Sequence, residues 1–165
     1  MQRHEATGLH RNLSRQLRCQ PPALDVITAG HQATTLQWWE QHRSRFELVI
    51  SQFVLDEASE GDPVAAEKRL AVLDGISVVP ISQPQIIVLA QALLKAGALP
   101  QKAKLDALHI AVCAVTGVDI LLTWNFKHIA NGATMRQIAH VCDDNGFECP
   151  QLLTSLQLLG DSNVD

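Results

Sequence analysis

The 165-residue chain contains no tyrosine, and aromatic residues make up only 4% of it. That scarcity excludes an aromatic-rich platform on which bases could stack. No apolar run approaches the length of a membrane span, so a membrane is not an expected partner. The four cysteines, Cys19, Cys113, Cys142 and Cys149, form no C-x-x-C pair and fit neither a zinc-finger nor a disulfide framework. Reduced thiols in a cytoplasmic protein are the expectation. Absent too are G-x-x-x-x-G-K-[ST], G-x-G-x-x-G and the G-x-S-x-G elbow, which disfavours nucleoside triphosphate, dinucleotide and serine-hydrolase chemistry. There is no internal repeat and no low-complexity linker.

Charge is also sparse. Charged residues are 18% of the chain and the formal net charge is -4, which speaks against binding nucleic acid through bulk charge alone. A hydrophobic share of 47% is ordinary for a globular chain, and the length suits one domain. The charge is uneven, however. Residues 1–18 carry Arg3, Arg11, Arg15 and Arg18 against Glu5 alone, leaving the body of the chain strongly acidic. An Arg-rich, acid-poor start has the composition of a transit peptide, but residues 1–24 show neither an amphipathic stripe nor an apolar h-region.

Regular patterning begins near residue 26. Val26 to Arg45 reads as a helix, and Phe46-Glu-Leu-Val-Ile50 as a strand. Ser51 is the expected N-cap of a helix through Phe53, Val54, Leu55 and Glu57. Gly61-Asp-Pro63 ends it, and a helix over Val64 to Leu73 follows. Ile76 to Ile81 is an expected strand, and Pro84 opens a helix that stops near Gly97. The segment Lys102 to Thr116 is apolar on more than one side, which predicts a buried helix. Asp119 to Thr123 reads as a strand, Met135 to Cys142 as a helix, and Phe147-Glu-Cys149 as a short last strand. Strands alternating with helices imply an α/β fold with parallel strands and right-handed crossovers.

Ligands of such sheets bind beyond the carboxyl ends of the strands, so polar residues there are the ones to weigh. Asp106 begins an almost wholly apolar helix, where a carboxylate is costly unless paired, hydrogen-bonded or metal-bound. The bland alternative, an acid favoured by the helix dipole, weighs equally for Asp106 alone. Glu57 lies among Asp56, Glu60 and Asp62, a run that ordinarily marks a solvated face. Its i, i+3 spacing from Val54 nonetheless sets it on the buried side, away from Asp56. Asn125 follows the strand Asp119–Thr123 and alone would be a turn residue. His109 and His128 are candidate ligands or bases, with a core role favoured for His109. Together, Glu57, Asp106 and Asn125 supply hard oxygen donors from separate elements, which suits Mg2+ or Mn2+ and the hydrolysis of phosphodiesters. Lys95, Lys102 and Lys104 precede Asp106 and could guide phosphates, although surface lysines are the simpler reading.

Three segments carry a resemblance: Ile50-Ser-Gln-Phe-Val-Leu-Asp-Glu57, Asp106-Ala-Leu-His-Ile-Ala111 and Leu121-Leu-Thr-Trp-Asn-Phe-Lys-His-Ile-Ala-Asn131. In order and spacing, residues 25–155 resemble the PIN-domain family, and within it the VapC-type toxin ribonucleases of type II toxin–antitoxin systems. The resemblance implies a three-layer α/β/α fold with a mostly parallel central sheet. It also implies an acidic cluster holding Mg2+ or Mn2+ that cleaves RNA, a cognate antitoxin protein as partner, a homodimer, and a cytoplasmic location. Glu57 and Asp106 match the family's second and third acids. Asn125 stands where many members have Asp and where this subgroup commonly has Asn. His128 and Asn131 match the subgroup pattern. Residues 156–165 then form a C-terminal tail.

One departure follows from the same comparison. The family opens with a strand running into an acid, then Thr/Ser-Ser/Asn and a hydrophobic helix with a Tyr. Nothing of that kind is legible in Met1 to Leu24, where Glu5-Ala-Thr7 lacks a preceding apolar strand. The genetic code permits an explanation. Leu9 to Cys19 can be encoded so that the next frame reads Phe-Ile-Glu-Thr-Ser-Val-Val-Ser-Tyr-Ala, which is compatible with a frame-shifted segment up to about residue 24. The expectation is therefore a missing or miswritten first strand, and a PIN-type nuclease impaired by loss of its first acid. The alternative is a catalytically inactive PIN-like module that binds protein.

Overall fold

A computed structural model of the chain describes residues 12–15, 26–123 and 132–160. The fold is mixed α/β, dominated by helices, with short parallel strands. In chain order the elements are β1 (Asn12–Arg15), α1 (Val26–Gln41), a 3-10 turn at Arg43–Arg45, β2 (Glu47–Ser51), α2 (Gln52–Ser59), α3 (Pro63–Leu73) and β3 (Ser77–Val79). There follow α4 (Pro84–Lys95), α5 (Lys104–Thr116), β4 (Ile120–Leu122), α6 (Gly132–Asp144), β5 (Gln151–Leu153) and α7 (Ser155–Gly160). The sheet order is β3-β2-β1-β4-β5, with every pairing parallel.

The expectation of no strand before Leu24 is corrected. Asn12–Arg15 occupies the centre of the sheet, with Leu13 in register with Leu48 on one side and Ile120 on the other. Parallel ladders are made by backbone groups, and β2 and β4 both need an inner partner for theirs. A polar segment can meet that need without an apolar pattern.

The flanking strands bury both faces. Val49 and Leu121 point into one cluster with Ile86, Leu89, Leu93 and Ile110 from α4 and α5. Ile120 and Leu122 point the other way, against Trp38 of α1 and Leu158 of α7. Ile50 joins Val54, Ala58 and Leu73 in a third cluster under α2 and α3. This is the period-two alternation of strands covered on both faces. Helix α7 takes up residues 155–160, including part of the expected tail, and packs on α1. Among the described residues no helix is long and apolar enough to cross a membrane.

Other boundaries moved for identifiable reasons. Ser51 sits at the N-cap position of α2 in extended backbone, but its hydroxyl makes no cap bond. A side-chain cap is found instead on α3, where Ala65 donates its N–H to the Asp62 carboxylate at 2.9 Å. The expected last strand over Phe147–Cys149 is displaced to Gln151–Leu153. Helix α6 ends in a Schellman turn, with Gly146 at φ +79, its N–H donating to Asp143 and that of Phe147 to Cys142. That turn occupies the chain up to Phe147, and pairing with β4 begins only beyond Pro150.

The same turn brings Cys149 back to Cys142. A hydrogen bond from Cys142 holds the Cys149 thiol below its ordinary range, against the effect of burial. Cys142 is pushed far up by that bond, by burial and by the charge on Cys149. The thiolate is the reactive form. Alkylation at neutral pH, mapped by mass spectrometry, is therefore expected to modify Cys149 ahead of buried Cys113 and Cys142.

Helix α2 is closed at its carboxyl end from α3. The Arg69 Nε donates to the Ala58 carbonyl at 2.8 Å, and its guanidinium donates again to the Glu60 carbonyl. Carbonyls in the last turn of a helix lack intrahelical partners, so this fork satisfies groups just beyond Glu57 on its carboxyl-terminal side. Arg69→Ala is expected to cost about 2 kcal/mol in urea unfolding, with Arg69→Lys restoring only part because an ammonium lacks the planar fork.

Candidate active site

The strand order reverses about β1: the chain builds outward through β2 and β3, then crosses to β4 and β5. Such a reversal leaves a crevice outside the carboxyl ends of the strands. Two helices deliver acids there. Helix α2 leaves directly from the end of β2 and carries Glu57. Helix α5 feeds β4 from its own carboxyl end, so its first turn, with Asp106, lies at the carboxyl edge of the sheet.

Glu57 is partly buried, with 18% of its side chain exposed, whereas Asp56 is solvated and accepts from Gln52 Nε2 at 2.7 Å. The spacing from buried Val54 had placed Glu57 on this inner side. Asp106 is 2% exposed, in the first turn of a helix whose N-cap, Ala103, offers no capping side chain. The positive end of the helix dipole favours the carboxylate there. His109, one turn further along α5, is equally buried and brings its Nε2 to 3.6 Å from Glu57 Oε2. Because His109 and Asp106 are i, i+3 neighbours, that approach sets Glu57 against the face of α5 that carries Asp106.

Buried hydroxyls end three strands. Ser51 closes β2, Thr123 follows β4 and Thr154 follows β5. The Ser51 Oγ has no hydrogen-bond partner among the described residues. Thr123 continues the sheet by donating its N–H to the Leu153 carbonyl at 2.8 Å. Asn125, His128 and Asn131 lie outside the described residues. Lys95, Lys102 and Lys104 are exposed.

Of the predicted site, Asp106 lies at the carboxyl edge of the sheet, and Glu57 meets His109 one turn along the same helix. The core reading of His109 holds for its burial but leaves out its contact with Glu57. The i, i+3 spacing of Asp106 and His109 was the available signal. From the sequence, Ser51 offers only the pattern of a cap.

The donor chemistry fits a hard cation in part. Mg2+ is commonly held by one or two carboxylates, with waters and phosphate oxygens completing the shell. Among the described residues no group of three or more His, Cys, Asp and Glu is disposed to hold a metal ion. Glu57 and Asp106, from two helices, are the carboxylates among the described residues that such a reading would use. Compared with protein-family models, curated proteins and solved structures, the chain matches none.

Proposed function

We propose that the chain is a PIN-type endoribonuclease scaffold dependent on Mg2+ or Mn2+, with a three-layer α/β/α architecture. In this reading it is the toxin of a type II toxin–antitoxin pair. The observation that carries the proposal is the approach of Glu57 to the Asp106 face of α5, marked by the 3.6 Å contact with His109. Glu57 and Asp106 would hold the ion, with Asn125 as the third donor that the family resemblance implies. When bound, the ion supplies charge neutralisation on the scissile phosphodiester and a more acidic attacking water. The fold supplies Asp106 from the first turn of α5 and Glu57 from α2, the latter against His109 of α5. The net charge of -4 is compatible with RNA because cations mediate the contact. The antitoxin, a second copy of the chain and a cytoplasmic setting belong to the same proposal.

The acid expected at the end of the first strand is missing from the sequence as written. Residues 16–24, which follow β1, contain no Asp or Glu and include Arg18. That absence favours a second reading, a catalytically inactive module whose role is to bind protein. Thermal unfolding across a Mn2+ titration separates the two. A metal site raises the melting temperature with metal concentration, and an inert module does not respond.

A further inference from the structure

The contact between His109 and Glu57 belongs to two interlocking helix faces. On α2, Phe53 and Glu57 are i, i+4 neighbours; on α5, Asp106 and His109 are i, i+3 neighbours. The Phe53 ring meets the His109 imidazole edge-on, with centroids 6.5 Å apart and planes at 88°. One helix therefore contributes both the ring that sets the imidazole plane and the carboxylate that the imidazole faces. The His109 Nε2 is buried and makes no hydrogen bond among the described residues. A buried ring nitrogen left in that state is costly, and Glu57 Oε2 at 3.6 Å is a carboxylate oxygen within charge-pair range. The separation is longer than a formed N–H···O bond, and contacts at such sites commonly tighten when the site fills.

We propose that His109 is a positioning residue, whose Nε2–H restrains the Glu57 carboxylate over the face of α5 that carries Asp106. The inference rests on the metal-site reading given above. Glu57 is partly exposed on a side chain with three rotatable bonds, and a contact from His109 narrows the directions in which it presents an oxygen to a cation. Partners that orient a ligand in this way commonly govern metal affinity without touching the metal.

The test uses the full chain and Mn2+ alone, with free Mn2+ followed by electron paramagnetic resonance. His109→Leu is expected to weaken Mn2+ binding by about tenfold or more. His109→Gln keeps an N–H donor near the Nε2 position and is expected to bind within about threefold of the unmodified chain. Both variants should melt close to the unmodified chain in the absence of metal. Unchanged affinity in His109→Leu overturns the positioning role and leaves the metal site standing. A Gln variant as weak as the Leu variant also overturns it. If the unmodified chain binds no Mn2+, the site and the inference fail together. A second measurement does not depend on a folded variant. In the metal-free unmodified chain, 15N spectroscopy should find His109 protonated at Nε2, with a shift that moves in Glu57→Gln. An Nε2 without a proton overturns the proposal.

Discussion

Replacing Asp106 with asparagine is expected to remove the stabilisation that the proposed site would draw from Mn2+ in the unmodified chain. Asparagine preserves the volume of a side chain that is 2% exposed, so the metal-free fold should survive. It removes the negative charge and one of the two described carboxylates, which are the strongest donors a hard cation has here. In the unmodified chain, free Mn2+ at a hundred times Kd stabilises by about 2.7 kcal/mol. For a domain of this size that is a rise of about 5–10 °C in melting temperature. The Asn variant should stay within about 1 °C of its own metal-free value. Control titrations with Asp56→Asn should match the unmodified chain, because Asp56 is solvated and bonded to Gln52. An Asp106→Asn variant that still gains the full rise would remove Asp106 from the site.

RNA cleavage by the chain as written is expected to be weak or absent, and restoring an acid on the first strand should raise it. In the restored chain, residues 9–18 become Phe-Ile-Glu-Thr-Ser-Val-Val-Ser-Tyr-Ala, the peptide that a one-base shift permits. The physical ground is position. β1 is the central strand, between β2 and β4, so the carboxyl end of the central strand opens between those of its two neighbours. In the restored chain the strand is expected to run through the peptide's Phe-Ile and to end at its Glu, at position 11, ahead of the present β1, and a carboxylate closing the central strand would complete the ion's anionic shell. With the ion's contribution to the barrier set at several kcal/mol, half of it lost corresponds to about a hundredfold in rate. The measurement is cleavage of a structured RNA with and without Mn2+, comparing the two chains. Robust metal-dependent cleavage by the chain as written, abolished in Asp106→Ala, would refute the prediction. Sequencing the underlying DNA provides an independent check, since the frame explanation requires that peptide to be encoded one base away.

The pattern of residues was most informative where side chains alone decide the outcome. Val54 and Glu57 share a face by spacing, and the structure buries one and half-buries the other while leaving Asp56 in water. The apolar run after Asp106 predicted the deep burial of α5, and eight of its residues are buried. The pattern was least informative where the backbone decides. Asn12–Arg15 has no strand signature, yet it lies between two strands whose inner edges need hydrogen-bond partners. The last strand shifted beyond Pro150 because the Gly146 turn had already committed the backbone before it.

The sequence by itself determined the alternation of helices and strands, the inward faces of α2 and α5, and the presence of an acid on each. These follow from the periods of 3.6 and 2 and from the cost of placing charge among apolar neighbours. Only the tertiary structure decided that Glu57 of α2 lies against α5, that β1 stands at the centre of the sheet, and that His109 turns its Nε2 toward Glu57. Those are relations between residues far apart in the chain, set by parallel pairing and helix packing, and no local pattern encodes them.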